Sequence, residues 1–232
     1  MSDVPPMPKG TLVTADQAEA QRRGLMLVLS SPSGAGKSTI ARMLLEREKG
    51  LELSISVTTR PRRSYEEDGV HYHFVSQERF FEMREAGELL EWAEVHGNYY
   101  ATPRAPVEAA IQSGRDILFD IDIKGTFQLY EKMRPDVVSI FVLPPSIEDM
   151  KKRLRGRGED ADDVILRRME TAVGEMRHWV NYDYVVVNEV LDRAYEAVRA
   201  ILRAERHKQA RSAAIGPFID GMVEDLQDAL KG

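Results

Sequence analysis

The stretch Leu25-Met26-Leu27-Val28-Leu29-Ser30, followed by Ser31-Pro32-Ser33-Gly34-Ala35-Gly36-Lys37-Ser38-Thr39 and then Ile40-Ala41-Arg42-Met43-Leu44-Leu45, decides the fold. An apolar strand pattern enters a glycine-bearing turn and a helical pattern leaves it, which is the layout of a phosphate-binding loop. Backbone N–H groups gathered at a helix N-terminus cradle anions. In that layout Ser33, Gly34, Ala35, Gly36, Lys37, Ser38 and Thr39 line the phosphates. Lys37 reaches the outer ones and Ser38 sets its hydroxyl on Mg²⁺. The Gly-Lys-Ser tripeptide is weak by itself; the flanking strand and helix give it weight. One position departs from the usual pattern, Ser31 standing where the loop normally begins with glycine.

Outward from this loop, strand-like and helix-like segments alternate. Leu25–Ser30, Asp116–Ile121, Val137–Leu143 and Tyr184–Val187 are short, apolar and rich in β-branched residues, as central parallel strands are. Helical patterns fall at Ser38–Arg47, Pro106–Ser113, Gly125–Met133, Ser146–Leu154, Ala161–Trp179 and Asp192–Arg206. The alternation predicts an α/β fold, a mostly parallel sheet with helices on both faces. Two stretches interrupt it. Residues 54–102, dense in Arg, Tyr, His, Glu and Gly, read as an inserted α+β lobe with a short strand at His71–Val75 and a helix near Glu78–Ala86. Arg153-Leu154-Arg155-Gly156-Arg157-Gly158 and the acidic run after it read as a hinged, mobile segment. Residues 1–23 read as a mobile polar leader with room for a short helix. Near the other end, Phe218, Met222, Leu226 and Leu230 form one apolar helix face. Its polar side is acidic, so it is expected to pack on the protein itself or on a second copy rather than on a membrane.

At 232 residues, 43% of them hydrophobic, the chain suits one core with small inserted lobes. A net charge of −6 argues against a general nucleic-acid binder. The absence of cysteine excludes disulfides and thiolate-bound zinc. No apolar run nears the length of about 18 residues that a membrane span needs, and the start does not read as a secretion signal. The expected compartment is the cytoplasm.

Four further stretches carry chemistry. In Ser56-Val57-Thr58-Thr59-Arg60-Pro61-Arg62-Arg63, guanidiniums after a strand form a clamp for a second phosphate. In Asp68-Gly69-Val70-His71-Tyr72-His73-Phe74, alternation sets the histidines on one face and the aromatic rings on the other. A His-X-His metal pair there lacks a third ligand, and Tyr72 fits better as a phosphate donor. Glu91, with Tyr99, Tyr100 and Thr102 after it, can line a purine pocket. A carboxylate accepts both the ring N–H and the exocyclic amine of guanine, a hydroxyl serves its carbonyl oxygen, and adenine would leave the carboxylate unpaired. Finally, Asp120 and Asp122 end an apolar strand, where acids face Mg²⁺ or substrate.

Taken together, these stretches resemble guanylate kinase from about Gly24 to Lys208. The resemblance rests on the phosphate loop, Thr-Thr-Arg-Pro-Arg, Gly-Val-His-Tyr-His-Phe, Glu-Trp-Ala, Gly-Asn-Tyr-Tyr, Asp-Ile-Asp and Lys-Arg-Leu-Arg-Gly-Arg-Gly, in that order. It implies a P-loop NTPase-type core (24–53, 103–144, 164–208), a GMP-binding lobe (54–102), a short lid (145–163) and a C-terminal extension (209–232). It also implies Mg²⁺-dependent transfer of the ATP γ-phosphoryl group to GMP or dGMP. On this chain, Arg60, Arg63, Tyr72 and Tyr100 would hold the GMP phosphate. Glu91 and Asp122 would read the guanine donors, and Ser56 and Thr102 its oxygen, with Thr102 standing where family members commonly have Ser. Lys37, Arg153, Arg157 and Arg168 would approach the transferring group, Asn188 would contact adenine, and Ser38 and Asp120 would face the metal, partly through water. Two other readings compete. A guanylate-kinase-like interaction module is opposed by the intact Gly36, Lys37 and Ser38. A related kinase acting on a ribose bisphosphate is opposed by the base-reading set.

Overall fold

The computed structural model describes residues 22–155, 162–212 and 214–231. Its centre is β1 (Met26–Ser30), buried on both faces. Leu27 and Leu29 face one layer, where α1 (Lys37–Arg47) contributes Ile40 and Leu44 and α7 (Leu191–Arg206) contributes Tyr195, Val198 and Leu202. Met26 and Val28 face the other, against α3 (Arg104–Gln112) and α4 (Ile123–Met133) through Val107, Ile111 and Leu129. This two-sided burial is why the strand reads as a continuous apolar run.

The main sheet has the order β2-β7-β1-β8-β9, with β2 Leu51–Leu53, β7 Asp116–Asp120, β8 Val137–Leu143 and β9 Tyr184–Val187. Every pairing in it is parallel. The register sets Leu29 beside Asp120, so the loop after β1 and the acids after β7 emerge together at the strands' carboxyl ends. The opposite end is tied by charge. Asp116, fully buried, accepts a bidentate pair from Arg22 at 2.7 and 2.8 Å, the Arg206 Nε–H at 2.7 Å and the Leu25 N–H at 3.0 Å. Arg23 binds Asp136 at 2.6 and 2.7 Å. Arg22 and Arg23, counted with the leader by sequence, are therefore anchored to the core, while a helix within residues 1–21 lies outside the described residues.

The inserted lobe carries its own sheet, ordered β4-β3-β6-β5. Its strands are β3 Val57–Thr58, β4 His73–Phe74, β5 Leu89–Val95 and β6 Asn98–Pro103, with α2 (Gln77–Glu85) capped by Ser76. Val57, Phe80, Leu89 and Ala101 make its core, joined by Trp92 and Tyr99. A bulge between Leu89 and Glu91 lets Leu89 and Trp92, three apart, pack into that one core while Leu90 reaches the main core beneath α3 and α4. Beyond the main sheet, α5 (Ile147–Arg155) packs on α6 (Asp162–Met176) through Met150, Leu154, Ile165 and Ala172. The last helix, α8, spans Ile215–Ala229. Of the expected apolar face, Phe218 is half-buried while Met222, Leu226 and Leu230 are exposed, so most of that face is not packed on the described residues.

Candidate active site

The phosphate loop is built where β1 ends. Gly34 and Gly36 have φ of 84° and 91°, a left-handed conformation that only glycine adopts without strain, and Gly36 stands at the cap position of α1. Residues 31–38, Asp120, Asp122 and Glu175 line one cavity of about 300 Å³. Within it the Lys37 ammonium is paired with Asp120.

Asn188, only 3% exposed, lies behind this loop. Its Nδ2 donates to the Ala35 carbonyl at 2.8 Å, and its Oδ1 is buried without a partner among the described residues, an acceptor open to a donor such as an exocyclic amine. Arg153, on α5, donates to the carbonyls of Asn188 at 2.8 Å and Ala35 at 3.3 Å. This arginine is thus seated on the loop. Arg168 is carried by α6, and Arg157 lies outside the described residues.

The second anion site lies in the lobe. Arg60 stacks over the rings of Tyr72 (5.4 Å) and Phe74 (5.8 Å), and Tyr72 meets Tyr100 edge-on at 5.9 Å. Three of the four residues expected at the acceptor phosphate therefore converge. The fourth, Arg63, donates to the Tyr65 hydroxyl at 2.7 Å. Sequence reasoning missed Glu66, which organises this group. Its carboxylate takes Arg60 bidentately at 2.7 and 3.1 Å and the Arg63 backbone N–H at 2.8 Å. The Arg60 guanidinium, then that backbone N–H, hold it down at about 2.

The base-reading candidates meet across the seam between lobe and core. Glu91, 6% exposed, accepts the Thr102 hydroxyl at 2.7 Å. Burial raises its carboxyl, Thr102 opposes the rise, and the Asp122 charge adds to it. Asp122 caps α4, accepting the Gly125 N–H at 2.8 Å. Gly125 leaves room for both acids: a Cβ there would stand 3.0 Å from Glu91 Oε2 and 3.5 Å from Asp122 Oδ1. Ser56 is half-buried immediately before β3, and its carbonyl accepts the His73 N–H.

A glycine-bearing loop at a helix N-terminus, a cationic cluster in the lobe and a buried carboxylate, Glu91, near the exposed Asp122 have the arrangement expected of a nucleotide-to-nucleotide transferase. A family model described as guanylate kinase matches residues 23–205. The chain belongs to the guanylate kinase family. It is 55% identical over 204 residues to the guanylate kinase of Agrobacterium fabrum, covering 88% of this chain and 93% of that one. To that of Mesorhizobium japonicum it is 58% identical over 205 residues, covering 88% and 94%. The crystal structure of guanylate kinase from Anaplasma phagocytophilum superposes with a TM-score of 0.68 at 38% identity, covering 88% of this chain and 97% of that one.

Against that family background, Glu175 is the less expected member of the site. Burial raises its carboxyl, the Ser33 backbone N–H opposes the rise, and its Oε2 has no partner among the described residues. It lies seven residues after Arg168 on the same helix, a spacing that shares one face and was the only signal available in the sequence. Ser38 and Asp120 supply hard oxygen donors suited to Mg²⁺. Among the described residues no cluster of three or more His, Cys, Asp or Glu could hold a metal alone. That fits Mg²⁺, which keeps waters and takes substrate phosphate oxygens rather than a protein cage.

Proposed function

We propose that this chain transfers the γ-phosphoryl group of ATP to GMP, or dGMP, giving ADP and GDP. The observation that carries the reading is the buried Glu91–Thr102 pair, set across Gly125 from Asp122, which itself lines the cavity at the phosphate loop. In this reading residues 33–39 bind ATP with Asn188 at its adenine. Arg60, Arg63, Tyr72 and Tyr100 grip the GMP phosphate, while Ser56, Glu91, Thr102 and Asp122 read guanine. Mg²⁺, held by Ser38 and by Asp120 partly through water, would neutralise phosphate charge as it transfers.

The GMP phosphate is already an anionic nucleophile, so no strong general base is needed. The work is alignment of two mutually repelling phosphates and stabilisation of charge in the transition state. Lys37 is in place for that, and Arg153 stands one side chain away on the loop carbonyls. Arg153, Arg157 and Arg168 would move onto the transferring group as lobe 54–102 and lid 145–163 close on core segments 24–53, 103–144 and 164–208, expelling water.

The setting that goes with this reading is cytoplasmic, with ATP and GMP as partners, no nucleic acid, and self-association through the exposed face of α8. No helix among the described residues is long and apolar enough to cross a membrane. The test is ADP release from Mg-ATP with GMP, AMP, UMP, dTMP and a ribose bisphosphate offered separately. Fast release with GMP alone is the expected result. Silence with every acceptor, from protein that still binds GMP, favours a non-catalytic module.

A further inference from the structure

The Glu91 carboxylate belongs to the lobe, whereas Asp122 belongs to the end of the main sheet, so their separation depends on how β5 sits against α4. β5 is an edge strand, paired with β6 on one side only. On its open side Gln128 of α4 takes both backbone groups of Trp92: Gln128 Oε1 accepts the Trp92 N–H at 3.1 Å, and Gln128 Nε2 donates to the Trp92 carbonyl at 2.9 Å. The side-chain carboxamide thus stands in for one residue of a neighbouring strand. One turn further along, the Lys132 ammonium donates to the Leu89 carbonyl at 2.9 Å. Asp122, Gly125, Gln128 and Lys132 follow one another at intervals of three, three and four, a single helical face laid along β5.

We propose that Gln128 is a positioning residue for guanine selectivity: by pinning the residue next to Glu91 to α4, its carboxamide fixes the gap between the Glu91 and Asp122 carboxylates. The inference rests on the reading of those two acids as the guanine acceptors. Two donors on one ring edge must meet two acceptors at a set spacing, and the bulge before Glu91 leaves that strand segment free to shift unless something holds it. Asp122 is fixed already by its cap on α4. Gln128 supplies the same restraint to Glu91 from the other side.

The experiment compares dissociation constants for GMP, IMP and ATP in the full chain, by calorimetry, for wild type, Gln128→Met and Glu91→Gln. IMP lacks the exocyclic amine, so the GMP-to-IMP affinity ratio reports on the paired acceptors. Gln128→Met keeps the side-chain length and removes both hydrogen bonds. It is expected to lower the ratio fivefold or more while ATP affinity stays within twofold. A structural role alone would weaken GMP and IMP equally, and an unchanged ratio in Gln128→Met overturns the proposal. If that variant does not fold, Gln128→Glu, which can still accept from Trp92 N–H but no longer donates to its carbonyl, must lower the ratio too; a wild-type ratio there is equally fatal. Should Glu91→Gln itself leave the ratio intact, the acceptor reading falls and the proposal with it. A ratio lost in Glu91→Gln but kept in Gln128→Met overturns only the role of Gln128.

Discussion

Replacing Gly125 by alanine separates stability from function in a way the geometry makes quantitative. In a helix interior, alanine for glycine stabilises by about 0.5–1 kcal/mol, and Gly125 is within α4 with no left-handed φ to protect. The added methyl, however, would stand 3.0 Å from Glu91 Oε2 and 3.3 Å from Ile121 Cδ1. Carbon contacts are comfortable from about 3.5 Å, so the carboxylate must retreat by roughly half an ångström. It retreats against the Thr102 hydroxyl, which holds its other oxygen at 2.7 Å. A hydrogen bond to a charged group contributes about 1.5–3 kcal/mol. The displaced carboxylate also meets a guanine donor at the wrong spacing, and losing half of such a bond costs roughly 0.75–1.5 kcal/mol, or about four- to twelvefold in GMP affinity. Gly125→Ala should therefore melt close to wild type, the helix gain offset by strain on the Thr102 bond, while its KM for GMP rises by that factor and its KM for ATP holds. Thermal unfolding and ADP-release kinetics with each substrate varied would check it. An unchanged KM for GMP in a folded variant would refute the placement of Glu91 against the base.

Lys37→Ala should cut kcat by at least about a hundredfold, as removal of a transition-state contact does, with little change in melting, since its pair with Asp120 is partly exposed; near-normal turnover would remove Lys37 from the mechanism. Asp116→Asn should destabilise by about 2–4 kcal/mol in urea titration, because two half-buried guanidiniums lose a fully buried charged partner, and a loss under about 1 kcal/mol would show the base of the sheet to be wetter than its burial indicates. The carboxyl of Glu91 is raised above its ordinary 4.5 by burial, so its protonated form is favoured as pH falls, and a protonated acid cannot accept both guanine donors. Affinity for guanosine, which has no phosphate to titrate, should thus fall as pH drops with a midpoint above 4.5, while thermal stability gains from the same proton; a midpoint at or below that value would contradict the buried setting.

The core was legible because its signals are local. β8 and β9 have the bounds that the apolar runs give, and β1, β7 and most helices differ by one to two residues. The lobe was harder: β3 is two residues long, β5 and β6 mix buried with open positions and carry Glu, Tyr and Thr, and their residues read as pocket lining rather than as strands. One cue was there. His96 and Gly97, both at positive φ, make the two-residue connection of a β5–β6 hairpin, and a residue followed by glycine between two β-rich runs is its mark. Arg60, Tyr72 and Tyr100 were nameable from motif spacing. Glu66, Gln128 and Glu175 were not, since each acts through a partner that only the folded chain brings near. For Gln128 that partner is a backbone 36 residues away, and no side-chain pattern reports on it.

In the proposed reading the two substrates meet at one turn of chain. Asp120 ends β7 and pairs with Lys37 on the ATP side; Asp122, two residues on, caps α4 and faces Glu91 on the GMP side. Consecutive residues advance by a little over 3 Å in extended chain, so the metal-facing and base-facing carboxylates are held within one short span whatever the lobe does. β7 lies between β1 and β2, and the opposite end of the strand is fixed by the buried Asp116 network. That rigidity matters because every other base-reading group rides on the lobe. If the lobe closes on GMP, it closes toward a reference point that cannot follow it. Closure therefore changes the distance between the acceptor phosphate and the ATP site without moving Asp120 relative to Lys37. In the proposed reading, selectivity for guanine and commitment to transfer would arise from the same motion, since only a base that satisfies both Glu91 and Asp122 would hold the lobe shut.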